Sequence, residues 1–198
     1  MLDGVRRTPI VIAAVLVGCG GAPSGPPPIP IAIGPGRDYR PPALSRAVTA
    51  ARPVGRLRCS PSPTRRFGVY VELLAYRRVV LIPPGIGVAP PRLERGAYVS
   101  GGRCSYPLRT REPTGVIEVA AGTRARLGDL FDLWGQPLSD VRLAGFATAP
   151  PDPVRVYVDG RRVAGDPRAI PLRRHAAIVV ELGAYLAPHQ AYRFPPGL

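Results

Sequence analysis

The chain has 198 residues, 45 % of them hydrophobic, with 27 prolines, 23 glycines and a formal net charge of +14. After a leader and a linker are set aside, that length leaves one domain able to bury its own core without metal, and the Pro/Gly content argues against a long-helix architecture. All 27 basic residues are arginine, a bias of the kind GC-rich codons produce, and they are scattered rather than blocked, so the charge alone does not specify nucleic acid.

The N-terminus carries Arg6 and Arg7, then an apolar run from Ile10 to Val17 ending in Leu16-Val17-Gly18-Cys19. A positive start, a short apolar stretch and a small residue before the cut form an export signal. The run is too short to cross a bilayer core of about 30 Å as a helix. Its Leu-x-Gly-Cys ending resembles the lipobox of bacterial lipoproteins, which implies a signal peptide over 1–18, lipidation at Cys19 and anchoring on the outer side of the membrane. Plain secretion, and a cytoplasmic chain or mis-assigned start, are the alternatives.

Residues 19–53 read as a tether. Prolines 23, 26–28, 30, 35, 41 and 42, interleaved with glycine, favour extended polyproline geometry over a packed core. At full extension the segment reaches roughly 100 Å from its anchor. Outside the membrane, the polyanions available to the arginines are lipid headgroups and acidic wall polymers. A membrane anchor with anionic envelope partners is therefore expected, and nucleic acid is not.

The domain proper is expected over 54–198. With Cys19 lipidated, Cys59 and Cys104 remain as an even pair in an oxidising compartment, which predicts a disulfide closing a 45-residue span; two separate buried thiols are the alternative. Residues 67–73 alternate as a strand, and 78–82 give a second that Pro83-Pro84-Gly85 ends. The stretch 107–113 reads as a loop before a short strand at 115–119. Leu127, Leu130, Phe131 and Trp134 fall at i, i+3, i+4 and i+7, predicting a helix over 127–134 with Gly135 as its stop signal. Asp129 and Asp132 on this helix read as ordinary compensation of the helix dipole.

Further on, 154–158 and 161–163 flank Asp159-Gly160, a pair that calls for a type I′ hairpin, and 177–182 is a last buried strand. The fold class predicted is α+β, mainly antiparallel sheet with one short helix around 127–134. Catalytic signatures are missing: the histidines, His175 and His189, are far from any nucleophile motif, and no Gly-rich phosphate loop is present. His175 reads as a histidine hydrogen-bonding a loop.

Residues 67–198 resemble a family of extracytoplasmic proteins of bacteria and archaea whose function is not established. The resemblance rests on Ile82-Pro83-Pro84-Gly85-Ile86-Gly87, on Thr114-Gly115-Val116-Ile117, and on 127–138 with its Leu-Gly-Asp-Leu-Phe-Asp-Leu-Trp-Gly-Gln-Pro-Leu. Residues 156–160 and 192–198 extend it. It implies a histidine-rich site, His-x-His in the first strand and His-Thr-His-Asp before Thr-Gly-x-Ile-His, of transition-metal character.

This chain departs from that pattern as a degenerate member. It places Gly68 and Tyr70 in the first strand, and Arg109, Arg111, Glu112 and Glu118 at the remaining positions. Guanidinium has no lone pair to give a metal, so the implied metal site is expected to be lost and no cofactor is expected. The favoured reading is an internal salt-bridge cluster in which Glu112 and Glu118 pair with Arg109 and Arg111. A seat for a carboxylate or phosphate and plain surface drift are the alternatives. The function expected is a non-catalytic, lipid-anchored envelope domain that binds an anionic partner. The alternatives are residual metal or small-ligand binding and an enzyme of unknown type.

Overall fold

The computed structural model describes residues 45–61, 65–148 and 153–198. Cys19, the leader and most of the tether lie outside the described residues. The class is α+β, mainly antiparallel sheet with one short helix beyond a single helical turn near the N-terminal end.

Strand β1 (Arg66–Ala75) is the spine of the sheet. Its side chains alternate between faces: Val69, Val71, Leu73 and Ala75 enter the main core, while 68, 70, 72 and 74 face the other side. On one flank β1 pairs antiparallel with β6 (Val116–Ala120), and β6 with β5 (Leu108–Arg109). On the other it pairs parallel with β11 (Ala177–Leu182), which continues antiparallel to β9 (Arg155–Val158) and β10 (Arg161–Val163). The β9–β10 turn has positive φ at both Asp159 (51°) and Gly160 (76°), as a type I′ hairpin requires. The Asp159 carboxylate also accepts the Ala177 N–H at 2.9 Å, tying the turn to β11.

Helix α2 (Leu127–Trp134) forms over the predicted residues and ends at Gly135 with φ 78°. Leu127, Leu130, Phe131, Leu133 and Trp134 are fully buried in the main core. Its two aspartates are structural. Asp129 accepts the Arg126 N–H at 2.8 Å and pairs with Arg56 at 3.1 Å, and both Asp132 oxygens accept from Arg168.

Cys59 and Cys104 form the predicted disulfide, with Cα atoms 5.5 Å apart. It fastens the segment before β1 to β4 (Tyr98–Ser105), which pairs with β3 (Val88–Arg95) in a hairpin outside the main sheet.

Four parts of the sheet structure differ from the sequence expectations. The second strand is only β2 (Arg78–Val79): the Val80 N–H reaches the Leu73 carbonyl at 2.7 Å, and the approaching Pro83-Pro84 pair has no N–H with which to continue. The 107–113 stretch is not all loop, because β5 lies within it. The β3–β4 hairpin is hidden in sequence by Pro90, Pro91, Gly101 and Gly102; its register shift between Ala89 and Arg92 absorbs the two prolines, and a second falls between Leu93 and Glu94. A small pair, β7 (Arg142–Leu143) with β8 (Phe146–Ala147), was likewise not visible in the pattern.

Residues 45–53, on the tether side of the boundary drawn at 54, pack with the domain. They form the turn α1 (Arg46–Thr49), whose Val48 is fully buried, and the Tyr106 hydroxyl donates to the Arg52 carbonyl. Among the described residues no helix is long and apolar enough to cross a membrane.

The second face of the sheet is covered by residues 184–198, which run across it without regular secondary structure. Tyr185 packs against Tyr157, with ring centroids 6.3 Å apart, and the Leu186 N–H donates to Glu181 at 3.2 Å. His189 Nδ1 donates to the buried Glu72 at 2.6 Å, and Tyr192 stacks on Tyr70 with centroids 4.3 Å apart. Phe194 stacks on His175, whose Nε2 donates to the Leu198 carbonyl at 2.8 Å. This strap explains why β1 is buried on both faces although the sheet is mainly antiparallel.

Candidate functional site

The sheet register gathers the positions singled out by the sequence. Gly68 on β1 lies opposite Glu118 on β6, and Glu118 lies opposite Arg109 on β5. Between the two arginines Thr110 is fully buried: its hydroxyl donates to the Pro83 carbonyl at 2.7 Å and accepts the Ile86 N–H at 3.0 Å. With residue 110 pinned inward, Arg109 and Arg111 emerge on the same side of the chain.

Glu118, 8 % exposed, is shared by both. Arg109 approaches its Oε2 through Nε and one terminal nitrogen, each at 2.7 Å, and Arg111 Nε lies 2.9 Å from Oε1. Arg111 also donates to the Tyr98 hydroxyl and lies 5.7 Å from that ring's centroid. Burying one carboxylate between two guanidinium groups neutralises its charge and leaves one positive charge over.

Glu112 does not join the cluster in the way expected. It is exposed, lies in the bend after β5 off the ladder that sets Glu118 opposite Arg109, and forms no ion pair with either arginine. It lines the same cleft, where its charge adds to the effect of burial in raising the Tyr192 hydroxyl above its ordinary pKa.

Arg66, not singled out from sequence, completes the site. Its guanidinium donates to the carbonyls of Tyr106 and Pro107, each at 2.9 Å, and at 3.4 Å to that of Glu118. No carboxylate pairs with it among the described residues. Burial, and next the charge of Arg109, push its pKa down to about 10, still far above neutrality, so it stays charged. Together with Arg109, Arg111, Tyr98 and Thr114, and with the strap as the facing wall, it lines a cleft of about 440 Å³.

Gly68 and Tyr70, standing where the resemblance implies histidines, serve the strap: Phe194 lies against the bare Cα of Gly68, and Tyr192 lies on Tyr70. The two histidines bond elsewhere, His175 to a carbonyl and His189 to Glu72. Among the described residues no three His, Cys, Asp or Glu side chains come together to hold a metal ion. Guanidinium, phenol and hydroxyl groups with donors to spare suit the cleft to recognising an oxyanion.

Neither protein-family models, curated proteins nor solved structures gave a match to the chain.

Sequence reasoning paired Arg109 and Arg111 from their spacing and named Glu112 and Glu118 as their partners, of which only Glu118 pairs. It missed Arg66 and Tyr98, which are far from the motif in the chain, and the strap, which carries no periodic pattern. The residue that aligns the two arginines, Thr110, would have been legible only once the Pro83–Ile86 loop was known to pack on it.

Proposed function

We propose that the protein is an exported, lipid-anchored, non-catalytic domain that binds an anionic partner at the cell envelope. The observation that carries the binding part is the charge of the cleft: Arg66, Arg109 and Arg111 line it, and the buried Glu118 engages only two of them. A cleft lined by one sign of charge with low-dielectric walls concentrates the opposite ion. The Leu16-Val17-Gly18-Cys19 ending supports the anchor, and the disulfide suits an oxidising compartment.

Two measurements test the reading together. Full-length protein should fractionate with membranes and C19S should not; a wild-type chain that keeps its leader and carries no lipid overturns the anchor. The wild type should bind inorganic phosphate or a dicarboxylate by calorimetry, and R66Q should weaken it. An R66Q variant that is folded and binds equally well overturns the cleft as the site. Stoichiometric zinc or copper in the purified protein would favour the metal-binding alternative instead.

A further inference from the structure

The cleft does not end at Arg66. A second, open cleft of about 560 Å³ lies beyond it, lined by Arg65, Arg66 and Arg174, and the two share Arg66, Gly197 and Leu198. The second cleft has no carboxylate side chain in its lining. Arg174 lies over the Phe67 ring, 5.2 Å from its centroid, and Arg65 has no ion-pair partner among the described residues. Five guanidinium groups thus line a continuous depression against two carboxylates, Glu118 and Glu112. A carboxylate at Leu198 would still leave positive charge in excess.

We infer that this depression is a track for a linear polyanion, a chain bearing repeated phosphate or carboxylate groups, and not a pocket for one small anion. The inference rests on the anion-binding reading above and extends it. One isolated anion would be served within the first cleft, by Arg66 and the positive charge left over beside Glu118. Arginines on both sides of Arg66, with Arg65 and Arg174 beyond it free of any ion pair among the described residues, suit a ligand with charges at several points along its length.

The aromatic rings argue against single-stranded nucleic acid, which needs free faces for base stacking. Tyr192 is already stacked on Tyr70 and edge-on to Phe194, Phe194 lies on His175, and Phe67 is covered by Arg174. What the track offers is charge and hydrogen-bond donors, which fits an envelope polymer of repeating oxyanions.

The test is binding of the full chain in detergent to orthophosphate, tripolyphosphate and a linear polyphosphate of about ten units, with oligogalacturonate and oligothymidylate of matched charge alongside. Affinity should rise by about tenfold between orthophosphate and the longest chain, as two or more exposed ion contacts are added. Its salt dependence should steepen in parallel. The surface variant R65Q/R174Q, checked for an unchanged melting temperature, should flatten this length dependence.

Tighter binding of the galacturonate arm than of polyphosphate would assign carboxylates, and the reverse would assign phosphates; either supports the track. Orthophosphate bound as tightly as the long chain overturns the track and leaves the single-anion reading standing. No binding of any anion overturns both. Oligothymidylate bound more tightly than polyphosphate of equal charge overturns the envelope polymer in favour of nucleic acid.

Discussion

The ring of Phe194 occupies the space that a side chain on Gly68 would need. The relationship joins two ends of the molecule: Gly68 lies in the central strand opposite Glu118, and Phe194 lies in the strap that walls the cleft. An alanine methyl at residue 68 would overlap the ring, so strap and methyl compete for one volume.

Gly68→Ala should therefore destabilise the protein by about 1–3 kcal/mol, the range for overpacking a filled site. Hydrogen exchange should accelerate over 192–198, where the strap is lifted, and Phe194→Ala in the same chain should relieve part of the loss. Equal and additive effects of the two substitutions in urea melts would mean that the ring and residue 68 do not meet.

Trp134 is fully buried beside Phe131, with ring centroids 5.6 Å apart, and its indole N–H has no acceptor among the described residues. Trp134→Ala should cost about 3–5 kcal/mol in denaturant unfolding. Trp134→Phe should cost clearly less, because it keeps most of the apolar volume and removes an unpaired buried donor. A phenylalanine as damaging as alanine would show that the N–H is satisfied in solution.

The Cys59–Cys104 bridge spans 45 residues and ties the chain before β1 to the β3–β4 hairpin. Replacing both cysteines by serine should lower stability by about 2–4 kcal/mol. Non-reducing peptide mapping of the wild type should show the two half-cystine peptides linked, and free thiols at both positions would contradict the fold drawn here.

Glu181 is almost fully buried on β11, 3.5 Å from Arg155, and burial raises its carboxyl above the ordinary 4.5 despite the Leu186 N–H and the arginine. A carboxyl raised in the folded state favours folding below its unfolded value, and that contribution is lost as pH rises through its folded value. The melting temperature of the wild type relative to Glu181→Gln should accordingly fall as pH is raised from below 4.5. A difference that grows with pH would reverse the sign and show that the Arg155 pair outweighs burial.

Much of the frame was legible because its signals are local. Helix α2 follows from four apolar residues at helical spacing, and Gly135 supplies the positive φ that ends it. The Asp159-Gly160 turn follows from the need for positive φ at both positions. The β3–β4 hairpin was not legible, since most of its residues are only half-buried or exposed and carry no apolar alternation, and proline and glycine there read as breaks.

In the candidate site the division is finer. The two-residue spacing of Arg109 and Arg111 was enough to put them on one side, and Glu118 was a natural partner nine residues on. Glu112, adjacent in sequence, was an equally natural partner and did not join, because proximity along the chain does not fix position relative to the β5–β6 ladder.

By itself the sequence determined the elements whose stability is decided within a few residues, the helix, the hairpin turn and the strand faces, and it named the two cysteines that pair. Only the tertiary structure decided that Arg66 comes to lie beside Arg109, that Thr110 is the buried pivot between the two arginines, and that residues 184–198 cover the second face of the sheet. Those relations bridge long stretches of chain, as between Gly68 and Phe194, 126 residues apart. They depend on which surfaces remain uncovered after the sheet has closed, and no local preference encodes that.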